Sequence, residues 1–338
     1  MTDNGSRPRT RHRHRNRKRT RRNRALIVVV VVAAVTAGIL LARPSPKPAV
    51  TTRADPLGFY MGYENTPGVA RMEQLLGHPV KQALDFFGGD SWTQIVTSPT
   101  QIVPVWNKTD YKMTWGVPML PKSGGATLAV GATGAYDHYF ATIAQYLVAN
   151  RQASSIIRLG WEFNGNWFPW AAATCPTCFV TYFQKIVTTM RAVPGAHFQF
   201  EWNPDLGTVY LPPTDAYPGN RYVDIIGLDV YDNVPYSTNA QGRWQFLLDN
   251  PFGLEWVVGF AQSHGKPVAF PEWGLGYGST SGGDDPYFIS RMAKYIDAHP
   301  QIVSALYFNY NGSGSTYNGS LLSQSPNSQA QFVKSFGS

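Results

Sequence analysis

From residue 57 onward, short apolar runs alternate with longer stretches in which apolar positions recur every three to four residues. The short runs predict strands at Leu57–Tyr63, Ala83–Phe87, Met113–Met119, Ser155–Trp161, Phe198–Trp202, Val223–Val230, Pro267–Phe270 and Val303–Phe308. The longer stretches predict helices, most clearly at Ala135–Asn150, Cys178–Val193, Arg243–His264 and Pro286–His299. Several strands are almost continuously apolar, such as Val-Asp-Ile-Ile-Gly-Leu-Asp-Val at 223–230. That pattern suits a parallel sheet covered on both faces. Eight strands alternating with helices fit an α/β fold, a (β/α)8 TIM barrel. A doubly wound open sheet is the competing arrangement, but no glycine-rich nucleotide loop follows the first strand. No internal repeat and no second domain is visible, so residues 57–338 are expected to form one barrel.

The N-terminal part changes the picture. Residues 1–24 hold 11 basic residues and one acid, Asp3, whereas residues 44–338 carry a net charge of −3. The overall charge of +8 therefore belongs to a tail, and the folded part is not a basic nucleic-acid binder. Directly after the tail, Ala25–Ala42 reads ALIVVVVVAAVTAGILLA without a charge. As a helix it would span roughly 27 Å, enough for a bilayer core. The preceding arginines keep the N-terminus cytoplasmic and send the rest of the chain out. The exit, Leu40-Leu41-Ala42-Arg43-Pro44, is a poor cleavage site, so the expected segment is an uncleaved single transmembrane anchor rather than a removed signal peptide. Residues 43–56, rich in proline and short polar residues, suit an extended linker. The expected location is the cell membrane, with residues 25–42 in the lipid and the domain extracytoplasmic.

The two cysteines, Cys175 and Cys178, form a lone Cys-Pro-Thr-Cys. This could be a metal half-site, a redox pair or a local disulfide. The seven histidines are scattered and complete no ligand set, and an exported domain favours the disulfide. No metal or other cofactor is expected, and nothing predicts an oligomer; a monomer is expected.

Candidate chemistry lies at the predicted strand ends, which in a barrel of this kind gather at one mouth. Only six glutamates follow the linker, and four stand at or near strand ends: Glu64, Glu162, Glu201 and Glu272. Glu162 and Glu272 each have a neighbouring tryptophan, Trp161 and Trp273. Aromatic faces beside carboxylates suit sugar rings, whose C–H faces stack while their hydroxyls take hydrogen bonds. Glycoside hydrolysis needs two carboxylates across the scissile bond, one to protonate the leaving oxygen and one to attack or to activate water. The acid needs an environment that holds its proton, and Trp161 and Phe163 could wall Glu162. A nearby cation such as Arg158 would keep the other carboxylate ionised.

These residues carry a resemblance. Arg158–Trp170, RLGWEFNGNWFPW, resembles the acid/base segment of glycoside hydrolase family 26 through Arg158, Glu162, Asn164, Gly165 and Trp167. Ala216–Asp232, AYPGNRYVDIIGLDVYD, resembles the same family, as does Lys266–Gly274, KPVAFPEWG, with Glu272 in the nucleophile position. The resemblance spans about residues 57–312. It implies a retaining barrel glycosidase acting on a β-mannan or other β-glycan polysaccharide, with Glu162 as acid/base and Glu272 as nucleophile. It also implies a binding role for Arg158, Trp161, Asn164, Trp167, Asp229, Tyr231 and Trp273, with Tyr231 on the nucleophile and Asp229 organising the site. The family carries histidine directly before the acid/base glutamate; this chain carries Trp161.

Overall fold

The computed structural model describes residues 55–207, 209–234, 239–276, 281–311 and 321–338. The expected tail, apolar span and most of the linker lie outside these residues. Among the described residues, no helix is long and apolar enough to cross a membrane.

Eight parallel strands form a closed barrel. They are β1 (Leu57–Tyr60), β2 (Gln82–Phe86), β3 (Lys112–Val117), β4 (Ile156–Leu159), β5 (Gln199–Trp202), β6 (Ile225–Gly227, resuming at Val230–Tyr231), β7 (Val268–Gly274) and β8 (Ile302–Phe308). Each strand pairs in parallel with the next, and β8 returns to β1 with Tyr60 opposite Phe308. Because successive side chains on a strand point to opposite faces, each strand serves two packing layers. Leu57 and Phe59 of β1 belong to the large core beneath the helices. Tyr60 packs with Leu84 and Leu306, and Ile156 with Ile225 and Ala269, in two smaller clusters that fill the barrel.

The outer layer consists of α1 (Thr66–Leu76), α2 (Trp92–Trp106), α3 (Leu128–Ala132), α4 (Asp137–Ala149), α5 (Pro176–Arg191), α6 (Ala240–Asp249), α7 (Leu254–His264), α8 (Pro286–Ala298) and α9 (Pro326–Phe336). Helix α5 shows why these segments are helical. Proline stands at its first turn, where no N–H is needed. Phe179, Tyr182, Phe183, Ile186, Val187 and Met190 then recur on one face and are buried. Each large side chain there contributes about 1.5–3 kcal/mol, so Phe183→Asp would undo the docking of this helix.

Two expected elements are corrected. The helix expected over Arg243–His264 is two helices, because Pro251 lacks an N–H and the chain reverses between Asn250 and Gly253. The sixth strand is shorter than expected and interrupted. The Leu228 N–H still bonds β7 through Ala269 O, but the Asp229 N–H turns to Pro204 O beyond β5. That break lets the Asp229 carboxylate enter the barrel.

Candidate active site

The mouth at the C-terminal strand ends is organised by one guanidinium. Arg158 points inward from β4 and is fully buried. Its Nη1 donates to Glu272 Oε1 at 2.5 Å, its Nη2 to Asp229 Oδ2 and its Nε to Asn203 Oδ1. Glu201 Oε1 stands 3.7 Å from the same Nε. The rings of Trp161 and Phe86 lie against the guanidinium carbon, with centroids at 5.5 and 5.6 Å. Such a cation persists in a barrel interior because several carboxylates face it, and they in turn depend on it.

Glu162 reaches the mouth through an unusual backbone. After β4, Gly160 has φ +56° and Glu162 has φ +51°, a left-handed conformation that costs a residue with a Cβ about 1–3 kcal/mol. The strain is held by a bond from the Glu162 N–H to Asn203 O at 2.8 Å. The side chain is thereby turned across the barrel toward β7. Oxygens of Glu162, Asp229 and Glu272 lie within 4.8 Å of one another. Burial holds the Glu162 carboxyl well above the ordinary carboxylate range; the nearby carboxylates of Asp205 and Glu272 add to this, while the Trp167 N–H and Arg158 oppose it. Glu162 therefore keeps its proton at pH values where a free glutamate has lost it.

Glu272 receives donors on both oxygens: Arg158 on Oε1, and the Tyr231 hydroxyl on Oε2 at 2.6 Å. Three acids this close could in principle hold a cation, but Arg158 already bridges Glu272 and Asp229. The residues present fit an acid and a carboxylate nucleophile facing each other.

Trp167 is the exposed aromatic of the acid loop, 44% accessible, with its indole N–H donating to Glu162 Oε2 at 2.6 Å. The indole lies directly on Gly165, where a Cβ would come within 2.4 Å of the ring. A side chain at 165 would lift the indole off the acid.

The other expected binding residues are sorted by their surroundings. Arg158 and Asp229 are fully buried and paired with each other, and Arg158 also holds Glu272. Asn164, expected to bind sugar, is fully buried with its side chain taken up by backbone: its amide donates to Asp205 O and Gly207 O at 2.9 and 3.0 Å and its Oδ1 accepts from the Asp205 N–H at 2.8 Å. It clamps the loop after β5 to the loop after β4. Trp273 lies on the outward face of β7, fully buried and stacked on Phe332 of α9, so it belongs to the core. Trp161 is nearly buried among Phe86, Phe168 and Trp170 and walls the Arg158 pocket. Tyr231 and Trp167 keep their expected positions beside the two glutamates. Cys175 and Cys178 are joined in a disulfide at the start of α5.

The structure adds residues not assigned from sequence. Glu201 and Asp205 end or follow β5, and burial pushes both carboxyls up to about 7; Arg158 opposes this at Glu201, and Glu272 adds to it at both. Asn203 ties Arg158 to the backbone of Glu162. Their signal was the polar stretch Glu201-Trp202-Asn203-Pro204-Asp205 at a strand end.

A closed (β/α)8 barrel with facing carboxylates on the fourth and seventh strands has the layout of the retaining barrel glycosidases. The family model for glycosyl hydrolase family 26 matches residues 129–263, the stretch from α3 to α7 that carries Glu162, Asp229 and Tyr231. The chain is 32% identical over 101 residues to a mannan endo-1,4-β-mannosidase of Bacillus subtilis, 28% of this chain and 27% of that one. It is 26% identical over 161 residues to endoglucanase H of Acetivibrio thermocellus, 44% of this chain and 17% of that protein. The matched stretches thus span about a quarter or less of these curated relatives. Among solved structures, a family 26 β-mannanase from Bacteroides ovatus superposes with a TM-score of 0.59 at 16% identity, covering 84% of this chain and 88% of that one. The chain is glycoside hydrolase family 26-like in its matched stretch and has the fold of that enzyme.

Proposed function

We propose that this protein is a retaining β-glycoside hydrolase that cleaves within a β-mannan or related β-glycan chain. The observation that carries the reading is the facing pair: Glu162 and Glu272 oxygens within 4.8 Å, the first holding its proton and the second supplied with donors on both oxygens. Retaining enzymes keep their two carboxyl groups roughly 5–5.5 Å apart, too close for an intervening water.

In the first step Glu162 gives its proton to the glycosidic oxygen as the Glu272 carboxylate attacks the anomeric carbon. The C–O bond to the leaving sugar breaks and a glycosyl ester forms on Glu272. Glu162, now ionised, takes a proton from an incoming water, whose oxygen attacks the same carbon and releases Glu272. Tyr231 and Arg158 hold the nucleophile in line throughout, and Trp167 gives a stacking face beside the acid. The resemblance to named mannanases and an endoglucanase supports a β-glycan substrate.

The apolar run 25–42 supports a single-pass anchor, with residues 1–24 cytoplasmic, 43–56 a linker, and the barrel acting outside the membrane as a monomer on a polysaccharide. The test is release of reducing ends from mannan, galactomannan, mixed-linkage glucan and xylan by residues 55–338. Turnover on one of these should vanish in Glu162→Gln and in Glu272→Gln while polysaccharide binding survives. Turnover near the wild-type rate in both variants would remove the assignment.

A further inference from the structure

The barrel mouth is ringed by aromatic side chains from different strands. Trp161 contacts Phe86 at 5.0 Å between centroids, Phe86 contacts Tyr60 at 5.0 Å, Tyr60 contacts Phe308 at 4.7 Å, and Phe308 contacts Tyr231 at 6.0 Å. Tyr60 stands at the middle of this arc. It is the last residue of β1 and points inward, above Leu84 and Leu306. Phe86 and Tyr310 meet its ring edge-on and Phe308 meets it at a tilt. Only 7% of Tyr60 is exposed.

A buried tyrosine normally spends its hydroxyl on a partner. Tyr182 donates to Met119 O, Tyr295 to Leu254 O and Tyr231 to Glu272. The Tyr60 hydroxyl has no such partner among the described residues. Burial first, then the charges of Asp85 and Glu272, pushes its pKa far above that of free tyrosine, so it remains a donor at every working pH. Packing alone would be served equally well by phenylalanine.

The two glutamates fix which side of the mouth this is. Glu162 and Trp167 come from the loop after β4, so the leaving sugar lies over β4 and β5. Tyr60 comes from β1, beside β8, on the far side of the barrel and within the field of Glu272. We propose that Tyr60 binds the sugar ring that Glu272 attacks, its hydroxyl donating to one ring hydroxyl of that sugar. This rests on the glycosidase reading above and makes Tyr60 a specificity residue for the reacting ring. Phe86 and Phe308 on either side offer that sugar apolar faces, and the Tyr231 hydroxyl is already given to Glu272, so the Tyr60 oxygen is the hydroxyl of the arc left for the sugar.

The test pairs a substitution with substrate deoxygenation. Wild type and Tyr60→Phe are compared on aryl β-glycosides of mannobiose and cellobiose, and on counterparts deoxygenated at C2, C3 or C6 of the reacting ring. Tyr60→Phe should lower kcat/KM about 10- to 100-fold on a parent substrate. On one deoxy series, already weakened for the wild type, it should change nothing. Equal losses across all series, or no loss on any, would overturn the proposal. The thermal midpoint should not move, because the removed oxygen holds no partner among the described residues. If the wild type turns over neither sugar, the glycosidase reading fails on that result alone. The same comparison is then made by calorimetric binding of the parent and deoxy disaccharides to Glu272→Gln with and without Tyr60→Phe. Loss of affinity confined to hydroxylated sugars supports the contact; unchanged or uniformly lowered affinity overturns it.

Discussion

Replacing Arg158 with methionine should cost far more than one lost ion pair. The guanidinium is fully buried and donates to Glu272, Asp229 and Asn203, with Glu201 3.7 Å away. Methionine fills much of the volume but leaves Asp229 without its Arg158 donor, Glu272 with Tyr231 alone and Glu201 without a facing charge. A hydrogen bond to a charged group contributes about 1.5–3 kcal/mol, and stranding a buried charge costs about 3–5 kcal/mol. The two figures describe the same loss and are not added, so about 3–5 kcal/mol is expected near neutral pH. Urea unfolding followed by tryptophan fluorescence measures it, since ten tryptophans report on this domain. The deficit should shrink as pH falls, because the stranded carboxylates take up protons; burial already places Glu201 at about 7 and Asp229 well above its ordinary value. Adding Asp229→Asn to Arg158→Met should recover part of the loss. A deficit under about 1 kcal/mol, or one that neither pH nor Asp229→Asn alters, would refute the claim that this cation neutralises the cluster.

Two further outcomes follow from the same chemistry. Asp85 is pushed up to about 6, and Glu201, Asp205 and Asp232 to about 7, in each case chiefly by burial. A carboxyl raised in the folded state stabilises the fold fully below its unfolded value near 4 and loses that contribution as pH rises through its folded value. The thermal midpoint should therefore be higher at pH 5 than at pH 8; calorimetry giving the reverse order would contradict the burial of these groups. Trp167→Phe removes the donor that favours the ionised form of Glu162, so the alkaline limb of kcat/KM should move to higher pH, and an unmoved limb would show that the indole N–H does not tune the acid.

The strands and the carboxylate pair were legible because each rests on local pattern: apolar runs bounded by polar ends, and glutamates at two of those ends. Trp273 shows where a motif misleads. It adjoins Glu272 in a strand, and alternation sends neighbours to opposite faces; with Glu272 inward, Trp273 had to pack under α9. Asn164 followed the acid in a family-like segment, yet its amide is taken up by backbone groups of residues 205 and 207, partners some 40 positions away. Tyr60 was assigned to a strand and nothing more. Its inward direction follows from alternation, but the lack of a partner for its hydroxyl depends on rings from β2, β8 and the loop beyond. The break between α6 and α7 was written in Pro251, beneath an apolar periodicity that runs through it.

The same guanidinium that organises the site also limits what can approach it. Arg158 is shared by Glu272, Asp229 and Glu201, with Glu162 and Asp205 close by. As Glu162, Glu201, Asp205 and Asp229, each raised chiefly by burial, ionise with rising pH, the mouth becomes negative, with its cation enclosed beneath. A chain bearing uronate or phosphate groups would meet repulsion there, strongest at low ionic strength. On the reading proposed above, the entrance would weigh charge before any ring is recognised, disfavouring anionic chains against neutral ones.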